Sequence, residues 1–199
     1  MNFHNARFKA AFGTESQLPP SSGPEISFAG RSNVGKSSLL NRLMYRKKLA
    51  KVSATPGKTA TINFYDVDGI DFVDLPGYGY AQVSHSEKER WMDLIEGYFN
   101  QDRDFALVVS LIDIRHDPTA LDRQMVEFLQ GADLPFMIAL TKADKLSRQK
   151  ARSQMHRIIQ KLHIDRSTPV IITSSAKDEG TEQLREIITE YLAASENEG

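Results

Sequence analysis

The chain has 199 residues, 40% of them hydrophobic, and its 25 basic and 26 acidic residues nearly cancel, which predicts one globular domain with a single sizeable core. Cysteine is absent, which excludes disulfides, thiolate catalysis and Cys-ligated zinc. No apolar run reaches the roughly 18 residues of a membrane span and the N-terminus lacks a signal-peptide core, so we expect a cytoplasmic protein without membrane attachment.

The first 24 residues are predicted to form an N-terminal arm or an irregular edge segment, because LPPSSGP at 18–24 is too rich in Pro, Ser and Gly to continue an element. After the arm, strands and helices alternate. Apolar runs bounded by turn residues predict strands at 25–30, 61–67, 70–75, 105–114, 135–141 and 169–175. Helical spacing and capping residues predict helices at 36–44, 86–99, 117–131, 147–163 and 181–192.

This order of elements predicts an α/β fold of three layers. Asp68-Gly69 joins two of the predicted strands as a hairpin, and the other strands are connected through helices. We therefore expect a six-stranded, mostly parallel sheet with one antiparallel strand and with helices on both faces. The predicted domain covers residues 25–195 and is followed by a short acidic tail at 196–199.

The segment GRSNVGKS at 30–37 lies between a predicted strand and a predicted helix and matches the phosphate-binding pattern G-x-x-x-x-G-K-[ST]. Gly30 and Gly35 permit a backbone path whose amides converge on phosphate oxygens, and the helix N-terminus adds a favourable dipole. Lys36 is expected to neutralise the β- and γ-phosphates, and Ser37 to ligate Mg²⁺. The predicted phosphate-binding residues are Gly30, Arg31, Ser32, Asn33, Val34, Gly35, Lys36, Ser37 and Ser38.

The segment DLPG at 74–77 follows another predicted strand and suggests the metal side of the same site. Asp74 can hold Mg²⁺ through a water molecule, and the amide of Gly77 can sense a γ-phosphate. We predict nucleotide contacts from Asp74, Leu75, Pro76 and Gly77.

Two further strand ends indicate the base. In TKAD at 141–144, the Asp144 carboxylate can accept from guanine N1–H and the 2-amino group together, whereas adenine lacks both donors. Guanine specificity follows, because adenine would leave the carboxylate unpaired at a cost of about 1–3 kcal/mol for each lost hydrogen-bond partner. The amides of TSSA at 173–176 can reach guanine O6. The predicted base-binding residues are Thr141, Lys142, Ala143, Asp144, Thr173, Ser174, Ser175 and Ala176.

These four motifs, in this order, resemble the G1, G3, G4 and G5 elements of a small GTPase, which implies the P-loop NTPase fold of a small G domain. TPGKT at 55–59 resembles the G2 element. The longer strings FAGRSNVGKSSLLN, TPGKTATINFY, DLPGYGYA and LTKADK are similar to the EngB family of bacterial GTPases over roughly residues 25–192. By this resemblance Thr59 is the switch hydroxyl on Mg²⁺, and the nucleotide-contacting residues of the segment are Gly57, Lys58, Thr59, Ala60 and Thr61.

The resemblance also implies a function. Members of the EngB family bind GTP and GDP with Mg²⁺, are needed for normal cell division and septation, and have a role in assembly of the large (50S) ribosomal subunit. We expect a monomer that binds a 50S precursor and does not bind DNA. Loops at 46–60 and 76–86 would become ordered in the GTP state, and basic segments at 42–51 and 145–161 would either contact ribosomal RNA or form solvated helical faces.

The sequence departs from common GTPases at three positions. Tyr78 stands where many have a water-orienting Gln, which predicts slow hydrolysis; Tyr78 and Tyr80 either contact a partner or pack internally. By analogy with GTPases that lack this Gln, Asn33 would help to bind K⁺ near the transferring phosphate. Thr141 replaces the usual Asn, which predicts micromolar affinity. The predicted catalytic residues are Lys36, Thr59, Asn33 and Gly77.

Two other functions fit part of the sequence. A P-loop enzyme that phosphorylates a small metabolite would share the phosphate-binding motif, but we see neither an acceptor site nor a lid insertion. A GTPase that binds proteins at the division site would share every nucleotide motif. The sequence carries no lipidation motif or amphipathic membrane helix to support direct membrane attachment.

Overall fold

The computed structural model describes residues 1–50, 60–79 and 84–198, which contain seven β-strands and five α-helices. The strands are β1 (Ala6–Phe12), β2 (Glu25–Gly30), β3 (Ile62–Val67), β4 (Ile70–Asp74), β5 (Phe105–Asp113), β6 (Phe136–Thr141) and β7 (Val170–Ile172). The helices are α1 (Lys36–Leu43), α2 (His85–Asn100), α3 (Ala120–Gly131), α4 (Arg148–Leu162) and α5 (Thr181–Glu198). None of these helices is long and apolar enough to cross a membrane.

All seven strands form one sheet in the order β1-β3-β4-β2-β5-β6-β7. Strand β3 pairs antiparallel with both of its neighbours, and the remaining pairs are parallel. The α/β class and the single reversed strand are confirmed, but the expected count of six strands is too low by one. The additional strand is β1, which pairs with β3 from Ala6 opposite Val67 to Phe12 opposite Ile62.

The missed strand has a physical explanation. ARFKAAF contains Lys and three Ala, which have weak strand propensity, so its pattern alone does not predict a strand. The exposed side of the β3–β4 hairpin supplies the partner, because β3 has backbone groups to pair on that side. Part of the predicted arm is therefore an edge strand, while the domain bounds 25–195 and 196–199 stay predictions.

Helices cover both faces of the sheet and divide the core into two clusters. One cluster packs α1 and α5 against the sheet through side chains such as Leu40 and Ile188. The other packs α2, α3 and α4 through side chains such as Tyr98, Leu129 and Ile158. Every residue of β2 is buried, as expected for a strand in the middle of a sheet covered on both faces.

Helix α3 begins three residues later than its sequence predicts. We expected Asp117 to cap the helix ahead of Pro118, but Thr119 is the N-cap, and its hydroxyl accepts from the Asp122 amide at 3.3 Å. The Asp122 carboxylate in turn accepts from the Thr119 amide at 2.8 Å, which completes a capping box. Asp117 instead pairs with Arg157 at 2.8 Å and Lys161 at 2.6 Å on α4.

A buried polar network ties the sheet to α2 at the amino end of β2. Glu25 is fully buried and accepts from Arg103 at 2.8 Å and from the Tyr98 hydroxyl at 2.7 Å. Tyr98 also bonds Ser27 at 2.6 Å. A buried carboxylate is tolerated only when it is paired in this way, so the network fixes how α2 and the start of β5 dock on β2.

We predict that Arg103→Leu destabilises the protein by about 3–5 kcal/mol, because the Glu25 carboxylate would stay buried without its cation. Urea unfolding followed by circular dichroism measures this loss. The matched control is Arg7→Leu, which removes an exposed ion pair with Asp66 and is expected to cost less than about 1 kcal/mol. Equal losses in the two variants would contradict the role given to burial.

Candidate functional site

The phosphate-binding motif forms the connection from β2 to α1. The Val34 amide donates to the Arg31 carbonyl at 3.1 Å, and the backbone passes through positive φ at Asn33 (62°) and Gly35 (101°) before α1 starts at Lys36. Gly35 suits this backbone because it lacks a Cβ. The first turn of α1, which starts at Lys36, is a helix N-terminus of the kind that binds anions.

The end of β4 lies against this loop. The Lys36 ammonium pairs with the Asp74 carboxylate, and the two side chains are only 11% and 7% exposed. Two backbone hydrogen bonds join the following segment to the loop, from the Ser32 amide to the Tyr78 carbonyl at 2.8 Å and from the Tyr78 amide to the Gly30 carbonyl at 3.2 Å. A Cβ on Gly77 would lie 3.0 Å from the Ser32 Cα, so this close approach requires glycine.

The Tyr78 side chain is half-buried and its hydroxyl makes an internal contact, which favours the packing role of the two that the sequence left open. Its hydroxyl donates to Asp122 at 3.0 Å, within the capping box of α3. Burial and the neighbouring Asp122 raise the pKa of the Tyr78 phenol well above its usual value, so it remains a donor at neutral pH. Tyr80 lies outside the described residues.

The end of β6 braces the phosphate-binding loop from the other side. The Thr141 hydroxyl is buried and donates to the Val34 carbonyl at 2.6 Å. Lys142, at a positive φ of 63°, donates from its ammonium to the Asn33 carbonyl at 2.6 Å and pairs with Asp113 at 3.1 Å. Although Thr141 is shorter than the usual Asn, its hydroxyl still reaches the phosphate-binding loop.

The two predicted base-binding segments touch each other. The Ser174 hydroxyl donates to Asp144 at 2.8 Å, and the Ala143 amide donates to the Thr173 carbonyl at 3.1 Å. The hydrogen bond from Ser174 lowers the pKa of the Asp144 carboxyl, whose side chain is 13% exposed. Asp144 is thus a charged acceptor at the carboxyl end of the sheet, as recognition of two guanine donors requires.

Sequence reasoning missed two residues that hold the site together. Asp113 ends β5 and binds Lys142 and Arg115; although burial opposes its ionisation, hydrogen bonds from Arg115 and Lys142 lower the pKa of Asp113 to about 2. Its place at a strand end is the signal that could have identified it. Arg42 donates from α1 to the Ser175 carbonyl at 2.8 Å, and nothing in the sequence pattern indicates that contact.

The remaining predicted site residues differ in how they are placed. Leu75 and Pro76 are buried behind Asp74, and Ala176 is exposed beside Ser175. Thr61 donates to Asn63 at 3.0 Å at the start of β3, directly after Ala60. Gly57, Lys58 and Thr59 lie outside the described residues, so the predicted switch hydroxyl of Thr59 stays a prediction. No cluster of three His, Cys, Asp or Glu side chains suited to a metal occurs in the described ranges.

The chain is similar to known GTP-binding proteins. The profile of a family described as "50S ribosome-binding GTPase" matches residues 25–142, and the profile of the elongation factor Tu GTP-binding domain matches residues 95–194. Proteins from Streptococcus pneumoniae strains Hungary19A-6 and P1031, each named probable GTP-binding protein EngB, are both 45% identical to this chain over 193 residues. These alignments cover 96% of this chain and 99% of each relative.

Solved structures share the fold. A crystal structure of a probable GTP-binding protein EngB superposes with a TM-score of 0.72 and 25% identity, over 85% of this chain and 99% of that one. The structure of Era in complex with MgGDPNP and a segment of 16S ribosomal RNA superposes with a TM-score of 0.64, over 84% of this chain and 56% of that one. At 21% identity, the Era comparison supports the fold alone.

We predict that Asp144→Asn weakens GTP binding by about a hundredfold and creates binding of XTP, which we would measure by calorimetry. Xanthine carries an oxygen where guanine has its 2-amino group, so an Asn amide donor fits it and a carboxylate does not. The control is Asp165→Asn, at an exposed carboxylate that binds only Ser167 in the described chain. Unchanged GTP affinity in Asp144→Asn would contradict the assignment of the base site.

Proposed function

The chain belongs to the EngB family of GTP-binding proteins, and we propose that it is a GTPase switch in assembly of the large (50S) ribosomal subunit. Cell division and septation would depend on it through ribosome supply. One observation carries the proposal: hydrogen bonds link the 74–78 segment, the phosphate-binding loop and the base-binding segments into one connected site. Nucleotide binding at this site can therefore change the conformation of the neighbouring segments. Family membership argues against the alternative of a metabolite kinase.

The reaction is attack of water on the γ-phosphate of GTP, which releases GDP and phosphate. Negative charge grows on the phosphate oxygens in the transition state, and fixed donors stabilise it. The proposed donors are the Lys36 ammonium and the amides at the start of α1. The Gly77 amide would donate to the γ-phosphate while that phosphate is present. The Tyr78 hydroxyl is bound to Asp122, so it is not the group that orients the attacking water.

The described oxygen donors fit a Mg²⁺ site. The Ser37 hydroxyl, in the first turn of α1, and the Asp74 carboxylate, held beside Lys36, lie on adjoining elements of the site. Mg²⁺ prefers oxygen ligands, and water molecules and the phosphates of the nucleotide would supply most of them. A site with few protein ligands is therefore expected. When bound, the ion would supply positive charge for the β- and γ-phosphates. Thr59 is proposed as a further ligand.

Asn33 is the proposed protein ligand for K⁺. Its carbonyl accepts from Lys142, which fixes the backbone at a positive φ, while Asn33 itself remains exposed at the mouth of the loop. A monovalent cation beside the transferring phosphate would replace part of the stabilisation that other GTPases obtain from Gln or an arginine finger. Arg115 does not have that role here, because it pairs with Asp113 at 2.7 Å.

The basic segment that precedes the first switch is a candidate for binding ribosomal RNA. Lys47 and Lys48 are exposed and form no ion pair with any residue that the structure describes. On α4, Arg157 and Lys161 are paired with Asp117, while Arg148 and Arg152 are exposed. We propose that the protein works as a monomer in the cytoplasm and uses Lys47 and Lys48 against RNA phosphates.

We predict that GTP turnover is at least about tenfold faster in KCl than in NaCl at equal ionic strength, measured as phosphate release. The Asn33→Ala variant should lose this preference, because the amide oxygen that helps to hold the cation is gone. Nucleotide affinity, measured in parallel, reports whether the loop is intact. Equal rates of the unmodified protein in the two salts would remove Asn33 from catalysis.

We predict that the protein co-sediments with 50S precursor particles more strongly with a non-hydrolysable GTP analogue than with GDP or no nucleotide. Binding should weaken steeply between low and moderate salt, because phosphate contacts release counterions. The Lys47→Ala/Lys48→Ala variant should bind less well and show a shallower salt dependence. The control is Lys150→Ala, which removes one exposed charge from α4.

Each alternative result has a defined meaning. Sedimentation that ignores the nucleotide would contradict the switch while leaving GTP binding intact. Association that does not respond to salt would indicate protein contacts in place of RNA. Absence of any particle binding, in a protein that still hydrolyses GTP, would favour the alternative of a GTPase that acts on proteins at the division site.

A further inference from the structure

Strand β7 is a lateral edge of the sheet, and no other strand of the described residues pairs with its outer side. On its inner side, the Pro169 carbonyl accepts from Ile138 at 2.9 Å and the Thr173 amide donates to Leu140 at 2.7 Å. Because backbone groups alternate along a parallel strand, the amide and carbonyl of Val170 and the amide of Ile172 face away from β6. Gly180 lies over the Ile172 carbonyl, where a Cβ would come within 2.2 Å of the oxygen.

A groove of about 530 Å³ runs along this open edge. Its two walls come from α4 and α5, which pack on opposite faces of the sheet, so the edge of β7 forms the floor between them. Apolar side chains that are only partly buried line it, namely Leu146, Met155, Val170 and Ile172.

The groove is positively charged. Arg148 and Arg152 lie one turn apart on α4, Lys177 lies on the adjoining loop, and Glu179 is the one acidic side chain among the described lining residues. The three cations are exposed and form no ion pair within the described parts of the chain. Their charge is thus available to a partner, unlike that of Arg157 and Lys161 farther along the same helix.

The opposite lateral edge of the sheet, strand β1, carries features that discourage pairing with a further strand, and β7 can be compared with it. On β1, Arg7 pairs with Asp66 and Lys9 with Asp71, each at 2.7 Å. The register of β1 also shifts between Phe8 and Ala10, and such an irregularity discourages pairing with another strand. Strand β7 is short but has neither device.

We propose that the β7 groove binds an extended acidic segment of a partner protein, which adds to the sheet as an eighth strand. Backbone donors and acceptors at Val170 and Ile172 match a peptide, apolar walls accept alternate side chains, and the three cations select Glu or Asp between them. RNA fits less well, because none of the described lining residues is an aromatic side chain that could stack on bases. This inference is independent of the proposed role in ribosome assembly.

The test uses the full chain saturated with GDP, because the groove includes Ala143, a predicted base-binding residue, and Lys177, which follows another one. The probe is a fluorescein-labelled peptide of about seven residues in which Glu alternates with Val, titrated by fluorescence anisotropy. Three comparison probes are the same peptide with alternate backbone amides methylated, a peptide with Lys in place of Glu, and an oligouridine of equal charge.

We expect the Glu-Val peptide to bind, and the methylated and Lys-containing peptides to bind at least about tenfold more weakly. The Arg148→Glu/Arg152→Glu variant should weaken binding by at least about tenfold. The control Lys150→Glu makes the same kind of change on the same helix outside the groove, and it should alter the dissociation constant by less than about twofold. Unchanged GDP affinity in each variant reports an intact fold.

Hydrogen exchange locates the bound peptide, since the Val170 and Ile172 amides should exchange more slowly when it is present. The proposal is overturned if the methylated peptide binds equally well, if these two amides gain no protection, or if the Glu-Val peptide does not bind at millimolar concentration. Binding of oligouridine that is lost in Arg148→Glu/Arg152→Glu, without binding of the peptide, would assign the groove to nucleic acid instead.

Discussion

The parallel pairing of the central strands is the constraint on which the rest of the structure depends. Strands β4, β2, β5, β6 and β7 run in one direction, so their carboxyl ends lie at one end of the sheet. Motifs that are far apart in the chain then become neighbours, as the hydrogen bond from Thr141 to Val34 illustrates across 107 residues. A ligand bound at that end can contact all of them at once, which is why open parallel sheets place their sites there.

The two ends of the sheet have different physical roles. At the amino end of β2, the fully buried Glu25 is neutralised by Arg103 and bonded by Tyr98, an arrangement that a partner molecule cannot reach. At the carboxyl end, the carboxylates of Asp74, Asp113 and Asp144 are each held by a cation or a hydroxyl. The buried network therefore lies at the opposite end of the sheet from the proposed nucleotide site, whose contacts are nearer to solvent.

Contacts between motifs also explain how the site tolerates its unusual residues. The Thr141 hydroxyl still reaches the phosphate-binding loop, and Lys142 adds a second link at the Asn33 carbonyl. Tyr78 is committed to Asp122 at the start of α3, so the segment after DLPG is tied both to the phosphate-binding loop and to a helix. A movement of that segment would alter the hydrogen bonds at the α3 N-terminus, because Tyr78 and the capping box both bind the Asp122 carboxylate.

The sequence by itself determined the α/β class, the order of its elements from residue 25 onward, the loop proposed to bind phosphate, and the carboxylate proposed to select guanine. Those features are local: they depend on periodicity, on turn residues and on residue types at fixed spacing, all of which are written in the chain. Family membership followed from the same motifs. The tertiary structure alone decided that residues 6–12 form a seventh strand, because their partner β3 lies more than fifty residues away. It also decided that Thr119 caps α3 while Asp117 binds α4, that Tyr78 bonds Asp122, and that β7 is an edge strand beside three cations without an ion pair in the described residues. Each of these depends on which distant groups meet in space, and neither propensity nor spacing encodes such a meeting.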